Sequence, residues 1–351
     1  MRFLFYQRKI ILKFGDWIRQ VNTQKGHHQK EIESHILRTS YVRFMELLMK
    51  ADTGKRIGVL DLGSNTFNIK FVTFENNEIN SIFKYKKYID IISSTSKNGI
   101  VDKNKREDFY NTFKEFKTII DSQKPDIFKV IATNSFRNLK DIDFIKTIEN
   151  ILNHEIDIIS SDQESKYVFK GVISTNKISD DKFFILDIGG SSTEIIKVED
   201  NKMIDLMSLQ LGSVSLTNKF TKNNKFIHND SKNYISELIT RQAVSDLSFK
   251  NKKHLYGTSG SFKTAYRSCQ ILAGADKVNF KETISKITKA KELALNKNEL
   301  RDYIDSSRIK VLPACLYILN GILDALNVGN VYKSNSGLRE GVLHELYQKT
   351  I

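Results

Sequence analysis

One pattern is written twice in this chain, and it limits the possible folds more than any other feature. Residues 61–72 read DLGSNTFNIKFV and residues 187–198 read DIGGSSTEIIKV. In each copy an aspartate comes at the end of an apolar run, small residues follow, and an apolar stretch of strand-like composition comes next. The two copies lie 126 residues apart, a domain-sized offset. Both then turn (at ENNE and at VEDNK) into a third extended segment. A repeat of this kind predicts two α/β halves, each opening with three strands and continuing with alternating helices and strands in a mixed sheet. Two such halves facing each other would place Asp61 and Asp187 on opposite walls of a cleft.

The rest of the periodicity agrees. Residues 105–123 carry Phe109, Phe113, Phe116 and Ile119/Ile120 at helical spacing. A strand at 128–133, a helix at 141–152, a strand at 156–160 and a helix at 163–174 follow. In the second half, 230–248 reads as a helix, HLYGTSGSFK as a strand running into a turn, and 262–306 as helices. The apolar segment 311–326 is helical in spacing, and a last strand, a Ser/Gly turn and a closing helix complete the chain. A length of 351 residues suits two domains. We place them at 56–163 and 164–337, with a final helix at about 338–351 packing back on the first.

Residues 1–55 differ from the remainder. Eleven Lys/Arg against five Asp/Glu give this basic N-terminal extension +6 of the formal net charge of +14. It reads as a non-essential appended segment, and Met49 offers a later start. The overall basic balance favours anionic partners, although the lysines are widely scattered. No nucleic-acid recognition motif is present, so no specific nucleic-acid partner is expected. No apolar run approaches the ~20 residues of a membrane helix, so stable membrane insertion is not expected. Cys269 and Cys315 form neither a disulfide framework nor a metal motif, and a cytoplasmic setting follows. A homodimer is left open.

Glycine and hydroxyl residues mark the ends of the apolar runs: DLGSNT, DIGGSST, LGSVS (211–215), YGTSGS (256–261) and SNSGLRE (334–340). Glycines let backbone N–H groups approach a ligand, and Ser/Thr add donors, a combination that holds phosphate oxygens. Carboxylates beside such loops suit Mg²⁺, a hard cation that bridges to phosphate. Glu194 occupies the position held by Asn68 in the first copy, so the two copies diverge there.

The ordered set GVLDLGSNTFNI, VIATNSFRN, IISSDQESKYVFKGV, FILDIGGSSTEII, LQLGSVSLT, YGTSGSFKTAYR and SNSGLREGVL resembles the Ppx/GppA family, over about residues 57–351. That resemblance implies duplicated actin-like domains flanking a cleft, within the ribonuclease H-like superfamily of sugar kinases, heat-shock chaperones and actin, in a short two-domain form. It implies Mg²⁺-dependent (or Mn²⁺-dependent) hydrolysis of the terminal phosphoanhydride of inorganic polyphosphate. The alternatives are pppGpp 5′-phosphohydrolysis and a non-catalytic polyphosphate or nucleotide sensor.

By the same resemblance, Glu164, Glu194 and Arg137 are catalytic, with Glu164 the base on water, and Asp61, Asp187 and Glu194 lie near the metal. Ser64, Asn65, Gly189, Gly190, Ser191, Ser192, Gly212, Ser213, Thr258, Ser259 and Gly260 match the phosphate-binding loops. The chain departs from the family pattern at Asn138, where a glutamate is frequent, at Ser191, where the usual GGGST has glycine, at Lys166, where arginine is common, and at Asn335, where aspartate is frequent.

Overall fold

Two five-stranded sheets with the same strand order organise the chain. The computed structural model describes residues 54–350 apart from 76–77, 90, 224, 274–299 and 301–303. Residues 1–53, almost all of the basic N-terminal segment, therefore lie outside the described residues, as does most of the helical reading between 274 and 303. The first half supplies β1 (Ile57–Leu62), β2 (Thr66–Glu75), β3 (Glu78–Tyr88), α1 (Lys103–Gln123), β4 (Ile127–Ala132), α2 (Asn134–Arg137), α3 (Ile142–Leu152), β5 (Ile156–Ile158) and α4 (Ser161–Thr175). The second supplies β6 (Lys182–Ile188), β7 (Thr193–Glu199), β8 (Lys202–Leu209), α5 (Ser213–Phe220) and the two-residue strands β9 (Thr221–Lys222) and β10 (Lys225–Phe226). It continues with α6 (His228–Arg241), β11 (His254–Thr258), α7 (Ser259–Ala273), α8 (Ser306–Ala325), β12 (Val331–Lys333) and α9 (Leu338–Gln348).

The first sheet runs β3-β2-β1-β4-β5 and the second, read in the same sense, β8-β7-β6-β11-β12. In both, the first three strands are antiparallel neighbours, and the last two join the third in parallel. The duplication read from the aspartate pattern is thus a duplication of topology, and the architecture is actin-like. Gly54–Ile120 and Lys124–Ile351 form one compact unit that contains both sheets.

Each element follows from local sequence. Buried on both faces, β1 from Ile57 and β6 from Phe183 are apolar up to their aspartates. Helix α1 begins where the Asp102 side chain accepts from Asn104 N, and α3 where Asp141 accepts from Phe144 N. The helix read at 230–248 is broken: α6 ends at Arg241, Ala243 adopts φ +51°, and a 3-10 turn covers Val244–Leu247. A left-handed alanine cannot continue an α-helix.

Two helices join the halves. On α4, Tyr167 packs with Ile57 and Val59 beneath the first sheet, whereas Val168 and Val172 pack with Phe183 and Ile185 beneath the second. Helix α9 adds Val342 and Leu343 to the first of these clusters. The helices cross closely at Gly341, where a Cβ would lie 1.8 Å from the carbonyl oxygen of Tyr167. A buried ion pair, Lys70 Nζ to Glu340 Oε1 at 2.8 Å, ties α9 to β2, and the other oxygen of Glu340 accepts from Gly337 N at 2.9 Å. Among the described residues no helix is long and apolar enough to cross a membrane.

Candidate active site

Strand register decides which side chains share a face. Asp61 stands opposite Asn68, and Asn68 opposite Lys86. In the second sheet Thr258 stands beside Asp187, Asp187 opposite Glu194, and Glu194 opposite Ser208. The equivalent rows Asp61–Asn68–Lys86 and Asp187–Glu194–Ser208 therefore carry different chemistry at equivalent positions.

A cavity of about 310 Å³ opens between the halves. Its walls include Asp61, Ser64 and Asn65 from the first half, Glu164 from α4, and Asp187, Gly189, Gly190, Ser191, Ser192, Thr258, Ser259 and Gly260 from the second. The register rows and the β1–β2, β6–β7 and β11–α7 turns bring these residues together. Ser259 has φ +75°, an uncommon backbone state that its surroundings hold. Its hydroxyl donates to the Ile188 carbonyl at 2.7 Å, which ties the β11–α7 turn to the end of β6.

Four residues read from the sequence do not line the cavity. The N–H groups of Ser213, Val214 and Ser215 are spent on the carbonyls of Gly189 and Gly190 at 2.8–3.0 Å. Gly212 and Ser213 thus seat the β6–β7 loop from behind. A Cβ on Gly212 would lie 2.2 Å from Ser191 N, so the loop rests directly on that glycine. Glu194 is 1% exposed and accepts from Ser208 Oγ at 3.2 Å. Arg137 stands behind Glu164: its Nη1 donates to Glu164 Oε2 at 3.0 Å and to the Ile159 carbonyl at 2.7 Å, while its Nη2 is buried with no hydrogen-bond partner among the described residues.

Sequence reasoning missed the cations. Lys86, Lys263, Arg308 and Arg339 all line the cavity, as does Glu340. Arg339 Nη1 lies 4.0 Å from Asp61 Oδ2. Lys263 and Arg339 stand inside the motifs GSFK and GLRE, where their positions could have been found. Lys86 and Arg308 have no local signal, and only packing brings them here.

The electrostatics follow from burying several carboxyls together. Burial pushes Asp61 up to about 6, against the attraction of Arg339. Asp187 also rises to about 6, through burial and the charge of Asp61, although Ser259 and Lys263 oppose the shift. Burial raises Glu164 to about 7; Arg137 lowers it, and Asp187 and Asp61 add to the rise. Glu194 is held well above the carboxylate range by burial and by the charges of Glu164 and Asp187. Burial and mutual repulsion outweigh the nearby cations, so all four acids are raised.

Those acids are hard oxygen donors of the kind Mg²⁺ or Mn²⁺ takes. Among the described residues no three acidic, histidine or cysteine side chains converge into a ready-made cage. The donor set therefore fits an ion held by one or two carboxylates and completed by water and ligand oxygens, which is the habit of Mg²⁺.

A duplicated actin-like fold with hydroxyl-rich turns, buried acids and four cations around one interdomain cavity defines an α/β protein with a cavity suited to an anion. The chain belongs to the Ppx/GppA phosphatase family, whose model matches residues 72–350. It is 24% identical over 302 residues to a guanosine-5′-triphosphate,3′-diphosphate pyrophosphatase of Photobacterium profundum, an alignment covering 83% of this chain and 59% of that protein. The chain thus spans less than two thirds of that relative's length. Among solved structures it is similar to an exopolyphosphatase from Cytophaga hutchinsonii (TM-score 0.72, 20% identity, 84% of this chain and 98% of that one). It is also similar to the Aquifex aeolicus Ppx/GppA enzyme (TM-score 0.67, 21% identity, 83% and 99%). At these identities the structures establish the shared fold.

Proposed function

We propose that this protein hydrolyses the terminal phosphoanhydride of inorganic polyphosphate, with Glu164 as the base. The observation that carries this reading is the placement of Glu164 at the wall of a cavity also lined by Ser64, Asn65, Ser191, Ser192 and four cationic side chains. An enclosure this rich in donors and positive charge suits an acceptor-only polyanion.

The hydroxyl-rich turns hold the terminal phosphoryl group, and Lys86, Lys263, Arg308 and Arg339 neutralise the oxygens of the chain behind it. Water attacks phosphorus in line: its oxygen forms the new P–O bond, the bridging P–O bond breaks, and its proton passes to Glu164. A carboxyl raised to about 7 is matched to this task near neutral pH. Arg137 holds Glu164 in place. Asp61 and Asp187 would hold Mg²⁺ (or Mn²⁺), which when bound neutralises charge developing on the phosphate oxygens. Cys269 and Cys315 are free and buried, consistent with a reducing cytoplasm as the working compartment.

A second reading, removal of the 5′-terminal phosphate of pppGpp, draws on the similarity to the Photobacterium profundum pyrophosphatase. The test is phosphate release with Mg²⁺ from long-chain polyphosphate, pppGpp and ATP. Polyphosphate turned over fastest is the expected result. Preference for pppGpp would install the second reading, and binding without any release would leave a sensor.

A further inference from the structure

Two of the chain's departures from the family pattern, Asn138 and Ser191, are ends of one hydrogen-bond chain through Asn134. Asn138 Nδ2 donates to the main-chain carbonyl of Asn134 at 3.0 Å and to its Oδ1 at 3.4 Å. This directs the oxygen side of the Asn134 amide toward Asn138. The Nδ2 side donates to Ser191 Oγ at 3.1 Å and to Gln210 Oε1 at 3.3 Å. Ser191 Oγ lies 2.7 Å from Ser64 Oγ, and Ser64 Oγ accepts from Ser135 Oγ. The chain crosses the cleft, because Ser64, Asn134, Ser135 and Asn138 belong to the first half and Ser191 and Gln210 to the second.

Counting donors shows what this arrangement does. A hydroxyl has one hydrogen to give and two lone pairs to fill. Asn134 fills a lone pair of Ser191, and Ser135 fills a lone pair of Ser64. Both serines therefore keep their own hydrogens for donation. One hydrogen makes the Ser64–Ser191 bond, and among the described residues no protein acceptor takes the other. Both hydroxyls line the cavity. A phosphoryl oxygen only accepts, so a hydroxyl pair held with one free hydrogen facing the cavity is matched to it. Glycine at 191 would leave Asn134 with Gln210 alone and remove the hydroxyl that pairs with Ser64 across the cleft.

We infer that Asn134, held by Asn138, is a positioning residue that presents Ser64 and Ser191 as a paired hydroxyl donor to a phosphoryl oxygen, linking anion affinity to the contact between the two loops. The inference rests on the reading of the cavity as a phosphoryl site. Inorganic tripolyphosphate is the probe, and binding is measured by calorimetry on the full chain in a Glu164→Gln background, where turnover does not deplete it. We expect Asn134→Ala and Ser191→Ala each to weaken binding about 10-fold, and the double variant to weaken it by the same 10-fold rather than about 100-fold. With Glu164 intact, each single variant should raise KM about 10-fold and change kcat less than about threefold. Asn138→Ala, at an exposed position, should raise KM about threefold, and only while Ser191 is present.

Melting curves matching the parent chain will show that these variants are folded. Additive losses, or single variants that bind like the parent, would overturn the inference while leaving hydrolysis by the unmodified chain untouched. The expected coupling in a chain that releases no phosphate would overturn the hydrolase reading and uphold the paired donor.

Discussion

Arg137 holds Glu164 from behind: one guanidinium nitrogen bridges the Glu164 carboxylate at 3.0 Å and the Ile159 carbonyl at 2.7 Å. The arginine therefore sets both the position and the acidity of the proposed base, and it opposes the upward push of burial on Glu164. Removing it should let the Glu164 carboxyl rise further. Because hydrolysis needs that carboxyl ionised, the ascending limb of the pH–rate profile, near pH 7 in the unmodified chain, should move alkaline by about one unit in Arg137→Gln. A profile lowered in rate but unmoved in pH would mean that Arg137 does not set the acidity of the base.

Glu164→Gln keeps the shape of the side chain and removes its basicity. We expect kcat for phosphate release to fall by roughly 10²–10⁴-fold, with tripolyphosphate binding retained. The check is single-turnover phosphate release beside a binding isotherm, and parental turnover in the variant would remove Glu164 from the mechanism.

Stability should depend on pH in a defined window. Asp61 and Asp187 at about 6 and Glu164 at about 7 bind protons more tightly in the folded chain than their ordinary values of 3.8 and 4.5 allow. Their contribution is fully present below about pH 4 and is lost as pH rises through 6 to 7. In the absence of divalent ions, Tm should therefore fall between about pH 5 and pH 7.5. Mg²⁺ should restore it at the upper end by binding the ionised carboxylates. Glu345 acts with opposite sign, but only at lower pH: burial pushes it up, and Lys170 and Tyr167 together outweigh burial and lower it to about 2. Differential scanning fluorimetry between about pH 5 and pH 7.5, with and without Mg²⁺, reads the fall and its reversal apart from Glu345.

The Lys70–Glu340 pair should behave as a buried salt bridge, strongly coupled and of small net worth. Lys70→Met leaves Glu340 buried with its Gly337 hydrogen bond but without its ion-pair partner, at a cost of about 3–5 kcal/mol. Lys70→Met combined with Glu340→Leu should recover most of that loss. Chemical denaturation of the four proteins gives the coupling, and simple additivity would show that the pair is not coupled.

Much of the fold was legible because its signals are local. The aspartate-ended runs IGVLDL and FFILDI mark buried central strands, and their repetition implied the repeated sheet order. The Asp61 and Asp187 turns could be placed at the cavity for the same reason. The LGSVS turn was misleading. Its glycine and serine have the composition of a ligand loop, yet the N–H groups of Ser213, Val214 and Ser215 close on the carbonyls of Gly189 and Gly190. Composition shows that a turn has donors to offer, and it does not show what already occupies them. The break at Ala243 escaped for a related reason: alanine is a strong helix former, and only its tertiary setting holds it left-handed.

The sequence by itself determined two sheets of one design, the aspartates at their central strand ends, and the family to which the chain belongs. These depend on side-chain periodicity and on short motifs, whose causes lie within a few residues. Only the tertiary structure decided that Lys86 and Arg308 reach the same cavity, that Arg137 faces Glu164, and that Ser191 meets Ser64 across the cleft. Those contacts are set by strand register and by the packing of α4 and α9 between the sheets. Such contacts join residues far apart in the chain, where no local pattern can signal them.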